Sequence, residues 1–422
     1  IFGTLFDHIG FDAIKDDLFR HIVIARLAYP VSKLKTVDYL YRYQGLKIEV
    51  DTIYRFLDRL NKTHKETVER IAFEHTQKTL QNITVVFYDM TTLYFEAEDE
   101  DDLRKIGFSK DGKFQNPQIM LGLLVGENGY PIGYDIFEGN TFEGHTLLPI
   151  LESIISKYGF ARPIVVADAG LLSCDNLKNL VDKKYRFIIG ARIKNENDEI
   201  KQKILAETKG LLDGQSIVLV KSDKTRLVIS YSDKRRKKDE YNRKKGIKKL
   251  EKKIKSGKLT KSSINNHGYN KFLELSGKIT VTINDDKIKD DESWDGLKGY
   301  LTNTELPPDK VIENYHHLWQ IEKAFRISKT DLRIRPIFHY RKNRISAHIC
   351  ISFVAYTIIK ELERLLNENN AGFSPKRAAE LTHTMYELEY LLPHSQKNSK
   401  ALLKLDAEQQ VLFKIVCGNR VL

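Results

Sequence analysis

Between Ile83 and Arg192 the sequence changes repeatedly between strand-like and helix-like patterns, and the order of these segments restricts the possible folds. ITVVFYDMTTLYF and QIMLGLLVGENGYPIGYDIF predict three strands, because they are rich in apolar, β-branched and aromatic residues. Asn128-Gly129 predicts a tight turn between the second and third strands. HTLLPILESIISKYG, PIVVADAG, SCDNLKNLVDKK and YRFIIGAR then predict helix, strand, helix and strand. This succession indicates an α/β core with a mixed sheet.

Other patterns flank and interrupt this core. Residues 1–80 predict helices, and the two helices on either side of Gly45 are compatible with a helix-turn-helix or, more simply, with a helical bundle. Residues 193–302 mix the strand-like pieces QSIVLV, TRLVISYS and GKITVTIN with a lysine-rich segment, which predicts a β-rich insertion with a basic arm. Pro307-Pro308 then opens a new helix, and residues 343–366 and about 373–418 predict further helices.

The excess of positive charge is confined to one segment. The chain has 69 Lys and Arg against 57 Asp and Glu, a net charge of +12, and residues 234–261 alone hold 15 basic and 3 acidic residues. This segment therefore accounts for the whole excess. A localised basic stretch indicates a polyanion such as nucleic acid, and a solvated charged helix explains it equally well.

Composition excludes several classes of protein. With 41% hydrophobic residues the chain is globular, and it contains no run of eighteen apolar residues that would span a membrane. Three widely spaced cysteines, Cys174, Cys350 and Cys417, favour a reducing compartment such as the cytoplasm over a disulfide framework or a zinc ribbon. Because the sequence starts at Ile1 rather than Met, we expect a fragment or a trimmed product.

Two aspartates lie at or near the ends of predicted strands. Asp89 comes late in the first strand, and Asp168 directly follows the apolar strand PIVVA. A single aspartate in such a place is usually a turn or cap residue. Two of them on neighbouring strands would bring their carboxylates together at one edge of the sheet.

A third carboxylate, Glu322, lies in the segment that follows Pro308. Tyr315, Glu322 and Lys329 are seven residues apart, which predicts one face of a single helix with about 10.5 Å between successive members. Neighbouring apolar residues predict that this face is buried, where a carboxylate needs a metal or a cationic partner. An ion pair between Glu322 and Arg326 is the alternative to a metal.

Two Asp and one Glu form a set of oxygen ligands that suits Mg²⁺. Two such ions about 3.5–4 Å apart can activate a water or a 3′-hydroxyl and stabilise the leaving oxygen of a phosphodiester. We find no cluster of His and Cys that would bind a softer metal, and the adjacent His316 and His317 point to different faces of the predicted helix.

Three segments carry a resemblance to a known family. YDMTTLYFE (88–96), VVADAG (165–170) and YHHLWQIEKAFRISK (315–329) resemble the three catalytic motifs of insertion-sequence DDE transposases, in the subgroup with a Tyr-Arg-Glu-Lys signature. Tyr315, Glu322 and Lys329 match this signature, whereas Leu318 occupies its Arg position. GFSKDGK (107–113), FEGNTFEG (137–144) and LRIRPIFHYRKNRISAH (332–348) also resemble blocks of the family.

The resemblance implies a ribonuclease H-like core and phosphoryl transfer on DNA, in which transposon ends are cut and joined to target DNA. Asp89, Asp168 and Glu322 would be both catalytic residues and ligands of Mg²⁺, for which Mn²⁺ could substitute. The implied DNA contacts are Tyr315, Trp319, Arg326, Lys329, Arg333 and Trp294, with Arg326 or Arg333 replacing the signature Arg. Trp294 would contact a flipped base, and packing in the core is its alternative role.

We therefore expect five regions and a DNA-bound assembly. The regions are a helical, possibly DNA-binding N-terminal region (1–80), the two parts of the catalytic core (81–192 and 303–360), the β-rich insertion with its basic arm (193–302) and a helical C-terminal region (361–422). The expected partners are double-stranded DNA and further copies of the chain, as a homodimer or larger synaptic complex, without a membrane. The alternatives are a non-catalytic DNA-binding relative, another metal-dependent nuclease and a glycosidase with paired carboxylates.

Overall fold

The computed structural model describes residues 1–171, 174–222, 224–256, 264–265, 268–276 and 280–418. The chain divides into two compact units. The first unit combines Ile1–Val165 with His317–Leu422, and the second consists of Val166–His316.

The helices and strands alternate along the chain. The α-helices are α1 (Phe2–Ile9), α2 (Asp17–Ala28), α3 (Lys33–Gln44), α4 (Val50–Arg59), α5 (Lys65–Leu80), α6 (Leu147–Tyr158), α7 (Cys174–Asp182), α8 (Asp198–Glu207), α9 (Asp233–Lys255), α10 (Asp285–Glu292), α11 (Pro308–His316), α12 (Trp319–Arg326), α13 (Lys342–Glu368), α14 (Pro375–Thr382) and α15 (Ala407–Cys417). The strands are β1 (Val85–Tyr94), β2 (Gln118–Val125), β3 (Pro131–Glu138), β4 (Ile164–Ala167), β5 (Arg186–Ala191), β6 (Ser216–Ser222), β7 (Thr225–Tyr231), β8 (Leu273–Ser276), β9 (Thr280–Ile283), β10 (Leu297–Thr302), β11 (Glu387–Leu391) and β12 (Asn398–Leu402).

The helices predicted over the first 80 residues are present as α1 to α5. Ser32 caps α3 by accepting a hydrogen bond from the backbone N–H of Lys35, and Gly45 ends this helix with a φ of 63° that favours glycine. In α4 the buried residues Ile53, Phe56 and Leu57 recur at three- and four-residue spacing. Helix α4 therefore buries one apolar face in the first unit.

Strands β1, β2 and β3 form an antiparallel arrangement in the first unit, with β2 in the middle. Every residue of β2 is buried, and Leu123 of β2 lies opposite Asp89 of β1. The predicted turn joins β2 to β3, where Asn128 and Gly129 have φ values of 57° and 76°. The backbone N–H of Gly129 also donates to the side-chain oxygen of Gln320, at 3.1 Å.

The 27-residue helix α13 forms the centre of the helical part of the first unit. It packs against α1, α2, α4 and α5 as well as α14 and α15. Its length and composition would suffice to cross a membrane, but 89% of its apolar window is buried, as in the core helix of a globular protein. Within this core the carboxylate of Glu361 is fully buried, and it accepts hydrogen bonds from His75 at 3.2 Å and from Arg364 at 2.6 and 3.0 Å.

The prediction that residues from about 373 to 418 are entirely helical is wrong. Strands β11 and β12 form an antiparallel hairpin there, between α14 and α15. Pro393 follows β11 and cannot continue a helix, and Gln396 closes the turn with a φ of 52°. Lys400 pairs with Glu387 across the hairpin at 3.1 Å.

The second unit contains its own set of strands, in the order β5-β10-β7-β6, with antiparallel neighbours. One face of these strands packs on a hydrophobic cluster, whose buried members are Ile193, Ile204, Leu219, Leu227, Ile229, Trp294 and Leu297. Helix α11 packs against β5 and β10 of the same unit. The predicted strands QSIVLV and TRLVISYS correspond to β6 and β7.

The lysine-rich segment is helical in its described part. Helix α9 packs against a second cluster, formed by Leu250 of the helix together with Phe272, Leu273 and Val281. Arg243 is buried and forms a bidentate ion pair with Asp295, at 2.6 and 2.5 Å. The helix is therefore fixed to the second unit along one face, while most of its lysines are exposed.

The fold class predicted from the sequence is confirmed. Antiparallel β1 to β3 are followed along the chain by α6, β4, α7 and β5, which is the predicted succession of three strands, helix, strand, helix and strand. This succession is the mixed α/β architecture that the sequence predicts.

Candidate active site

Asp89 lies on β1, between residues that are buried. Its neighbours Tyr88 and Met90 are buried, whereas 28% of the Asp89 side chain is exposed. Burial raises the pKa of Asp89 and Glu143 adds to this effect, while the ammonium group of Lys110 counteracts it. A partly buried carboxylate of this kind favours a nearby cation.

The cation beside Asp89 is Lys110, from the segment GFSKDGK. Its Nζ atom lies 3.5 Å from Oδ1 of Asp89 and 2.8 Å from Oε1 of Glu143, and it donates to the carbonyl oxygen of Met90 at 2.6 Å. Neither Lys110 nor Glu143 was predicted from the sequence as a functional residue. Both lie in segments that resemble blocks of the transposase family, and this resemblance could have identified them as candidate functional residues.

The next residue of the same segment, Asp111, binds two cations of the first unit. Lys329 donates to both of its carboxylate oxygens, at 3.1 and 3.2 Å, and Arg335 lies 3.3 Å away. Burial lowers the pKa of Lys329, and Asp111 counteracts this shift. The segment GFSKDGK therefore places Lys110 at Asp89 and Asp111 at Lys329, the predicted signature lysine.

Glu322 is exposed on α12, so the predicted buried position is wrong. The prediction of one continuous helix through Tyr315, Glu322 and Lys329 is also wrong, because α11 ends at His316, α12 begins at Trp319, and Lys329 lies in a π-helical turn. Helix α11 packs within the second unit, whereas α12 packs against β1 and β2 of the first. Tertiary packing thus overrides the local helical pattern.

The alternative partner for Glu322 is also not observed. Within the described part of the chain, Glu322 forms no ion pair with Arg326 and no hydrogen bond through its carboxylate. Its carboxylate is therefore accessible to a ligand from solvent.

Asp168 lies in the second unit, just after β4, and is exposed. The hydroxyl group of Tyr315 donates to its Oδ1 atom at 2.8 Å. Gly190 leaves room for this contact, because a Cβ atom at that position would overlap the Tyr315 hydroxyl. Lys298 lies over the ring of Tyr315 at 5.0 Å, and burial lowers the pKa of this lysine while Asp168 opposes the shift. The contact orients Asp168 in its own unit.

The other predicted DNA contacts of the first unit are mostly exposed. Trp319 is 52% exposed, with the ammonium of Lys323 5.9 Å from its ring, and Arg326 and Arg333 are exposed too. Arg333 has a φ of 46°, in the left-handed region. Leu318, at the Arg position of the signature, is buried and cannot replace a cationic contact.

Trp294 differs from these residues because it is only 9% exposed. It belongs to the hydrophobic cluster of the second unit, beside Leu297. This position favours the packing alternative, and the contact with a flipped base stays a prediction.

Trp319 also lines a cavity of about 410 Å³ in the first unit. The cavity contains the charged side chains of Lys323, Lys360 and Glu363, and Glu363 pairs with both lysines. Tyr130 borders the same cavity, and its buried hydroxyl has no hydrogen-bond partner among the described residues. The two lysines of this cavity share the carboxylate of Glu363.

The predicted metal ligands are all oxygen donors, which Mg²⁺ prefers. Oxygen atoms of Asp89, Glu143 and Met90 already surround the ammonium group of Lys110, so the donor atoms at this position are of the kind that binds a cation. Among the described residues, no group of three or more His, Cys, Asp or Glu side chains is arranged so as to hold a metal ion.

The fold defines a mixed α/β protein, and its candidate carboxylates lie in the segments that resemble transposase motifs. A family model described as the transposase DDE domain matches residues 81–358, well over half of the chain. The chain therefore belongs to the DDE transposase family and is a DNA transposase.

A comparison with solved structures finds similarity to piggyBac transposase in a cryo-EM structure of its synaptic complex with hairpin DNA. The TM-score is 0.45 and the sequence identity 11%, over 87% of this chain and 70% of that chain. A comparison with curated proteins finds no match.

Proposed function

We propose that this transposase cuts DNA at transposon ends and transfers the freed strand into target DNA in a reaction that depends on a divalent metal. Asp89, Asp168 and Glu322 are the proposed metal ligands and catalytic residues. The observation that carries the proposal is the half-buried carboxylate of Asp89, which lies on β1 within the family match and is already paired with a cation. The signature residues Tyr315 and Lys329 support it.

Mg²⁺ is the proposed metal, with Mn²⁺ as a substitute. When bound, it would polarise the scissile phosphodiester and favour ionisation of the attacking water or 3′-hydroxyl. Tyr315 holds Oδ1 of Asp168, while Oδ2 has no hydrogen-bond partner among the described residues. Glu322 is exposed and likewise has a carboxylate available for binding.

The basic side chains around these carboxylates are proposed to bind DNA phosphates. Lys329 and Arg335 are held side by side at Asp111, and Arg326, Arg333 and Trp319 are exposed. Phosphate contacts of this kind position a duplex without reading its sequence. Helix α9 supplies a second basic surface, in the other unit.

We further propose that double-stranded DNA is the partner and that the chain acts as a homodimer or larger synaptic complex, located in the cytoplasm. Joining both ends of a transposon to one target requires two active sites to act on connected DNA. Oligomeric state measured with and without DNA by light scattering tests this part of the proposal.

The catalytic assignment is tested by the variants Asp89→Asn, Asp168→Asn and Glu322→Gln. Each should abolish Mg²⁺-dependent nicking of a supercoiled plasmid while leaving DNA affinity largely unchanged, because each removes a ligand charge but no phosphate contact. The matched controls are Asp135→Asn on β3 and Glu313→Gln on α11, which should both cut at the wild-type rate.

The outcomes separate the alternatives. A variant that cuts at near the wild-type rate with Mg²⁺ shows that the replaced residue is not a ligand. A wild-type chain that binds DNA but never cuts it, with Mg²⁺ or Mn²⁺, identifies a non-catalytic relative. A chain that does not bind DNA at all contradicts the whole proposal.

A further inference from the structure

The ammonium group of Lys110 occupies the position of a counter-ion between two carboxylates. It lies 3.5 Å from Asp89 and 2.8 Å from Glu143, and the backbone carbonyl of Met90 accepts a third contact at 2.6 Å. The side chains of all three charged residues are 28–31% exposed, so ions from solvent can reach them.

The backbone of the segment 107–113 fixes Lys110 in this position. The N–H of Lys110 donates to Oγ1 of Thr92 at 3.0 Å, which ties the segment to β1. The buried hydroxyl of Ser109 accepts from the N–H groups of Asp111 and Lys113, at 3.3 and 3.1 Å. Lys110 is therefore directed at Asp89 by the fold of its segment, unlike a surface lysine with an accidental partner.

Lys110 remains a full positive charge at neutral pH. The carboxylates of Asp89 and Glu143 both lie within ion-pair distance of its ammonium group. A divalent cation at the same oxygen of Asp89 would meet this charge at close range, and like charges at such a distance repel strongly.

We propose that Lys110 is an exchangeable internal counter-ion, which neutralises Asp89 and Glu143 until a divalent metal displaces it from Asp89. This inference rests on the proposed metal role of Asp89. Lys110 is thus a positioning residue that sets the metal affinity of the site, and Glu143 retains the displaced ammonium close by.

The first test measures Mn²⁺ binding to the full chain from the electron paramagnetic resonance signal of free Mn²⁺, alone and with plain duplex DNA. Lys110→Met should bind Mn²⁺ about fivefold more tightly or better, because a like charge is removed at roughly 4 Å. Lys110→Gln should do the same and serves if Lys110→Met fails to fold. Lys110→Arg should restore near wild-type affinity.

Lys113→Met is the matched control, because it removes the same charge from an exposed position of the same segment. Wild-type affinity in both Lys110→Met and Lys110→Gln, under both conditions, would overturn the inference. An equal tightening in Lys113→Met would overturn it too, since net charge would then explain the effect.

The second test follows the displacement itself. Acylation of Lys110 by an amine-reactive reagent, quantified by mass spectrometry with Lys113 as the internal reference, should increase when Mn²⁺ is added. Unchanged acylation at saturating Mn²⁺ would contradict the exchange.

Asp89→Asn separates this inference from the proposed function. If Asp89→Asn binds Mn²⁺ like the wild type, the metal role of Asp89 fails and the inference fails with it. If Asp89→Asn loses the site while the Lys110 variants behave like the wild type, only the counter-ion role fails.

Discussion

Helix α9 presents a row of lysines to solvent, and their removal should change the salt dependence of DNA binding. Lys245, Lys248, Lys252 and Lys255 recur at three- and four-residue spacing, so they share one face, and all four are exposed. None of them forms an ion pair within the described part of the chain, and the helix buries its other face. We therefore expect these four side chains to be available for phosphates.

The expected magnitude follows from the release of counter-ions. The 23 residues of α9 extend over about 33 Å, enough to follow several successive phosphates. Each lost phosphate contact flattens the slope of log affinity against log salt by about 0.9, so four contacts correspond to about 3.6. Between 50 and 200 mM salt, the quadruple Lys→Gln variant should lose roughly 100-fold less affinity than the wild type.

The assay is a fluorescence anisotropy titration of a labelled duplex at several salt concentrations. The matched control replaces four exposed lysines of the first unit, which are Lys376, Lys397, Lys404 and Lys414. This control has the same net charge as the α9 variant and should retain the wild-type slope. A wild-type slope in the α9 variant would show that α9 is only a solvated charged helix, and equal flattening in both would show a general effect of charge.

Three further substitutions test other contacts. Glu361→Gln should lower the free energy of unfolding by about 3 kcal/mol at pH 7, because hydrogen bonds outweigh burial and lower the pKa of Glu361 from 4.5 to about 2. The folded state stabilises only the ionised form of Glu361, so the difference in unfolding free energy between the variant and the wild type should fade as the pH falls from 4.5 towards 2. A difference in urea titrations that stays constant over this pH range would refute the prediction. Gly190→Ala should displace the Tyr315 hydroxyl from Asp168 and slow DNA cleavage roughly 10- to 100-fold. An unchanged rate in a nicking assay would show that the contact between Tyr315 and Asp168 is dispensable. Trp294→Ala should destabilise the chain by about 3 kcal/mol or more, seen as a lower melting temperature; if Trp294 instead holds a flipped base, the ratio of nicked to double-cut DNA should rise, and an unchanged ratio would exclude that role.

The parts of the fold that sequence could predict are those with a strong local signal. Strand β1 is almost continuously apolar, and the turn at Asn128-Gly129 has residues that adopt positive φ values, so both were predictable. The hairpin of β11 and β12 was missed because β11 is exposed throughout and β12 contains no buried residue, so neither strand has the buried apolar face that marks a strand in a sequence.

The candidate site, too, could be predicted only in part from the sequence. Asp89 was identifiable from its strand and its motif, but the helix through Tyr315 and Glu322 was predicted as continuous because no Pro or Gly marks the break after His316. The break follows from packing in two different units, which a local pattern does not encode. Lys110 approaches Asp89 across 21 residues of chain, and a single sequence does not specify such a contact.

The position of α13 restricts how this transposase can be divided or recombined with others. The helices of residues 2–80 and those after residue 374 cover the same 27-residue apolar helix. A chain cut at residue 80 would uncover a segment apolar enough to enter a bilayer or to aggregate. The N-terminal helices are therefore not a cassette that can be exchanged to redirect the enzyme, and a chimaera would have to exchange them together with α13.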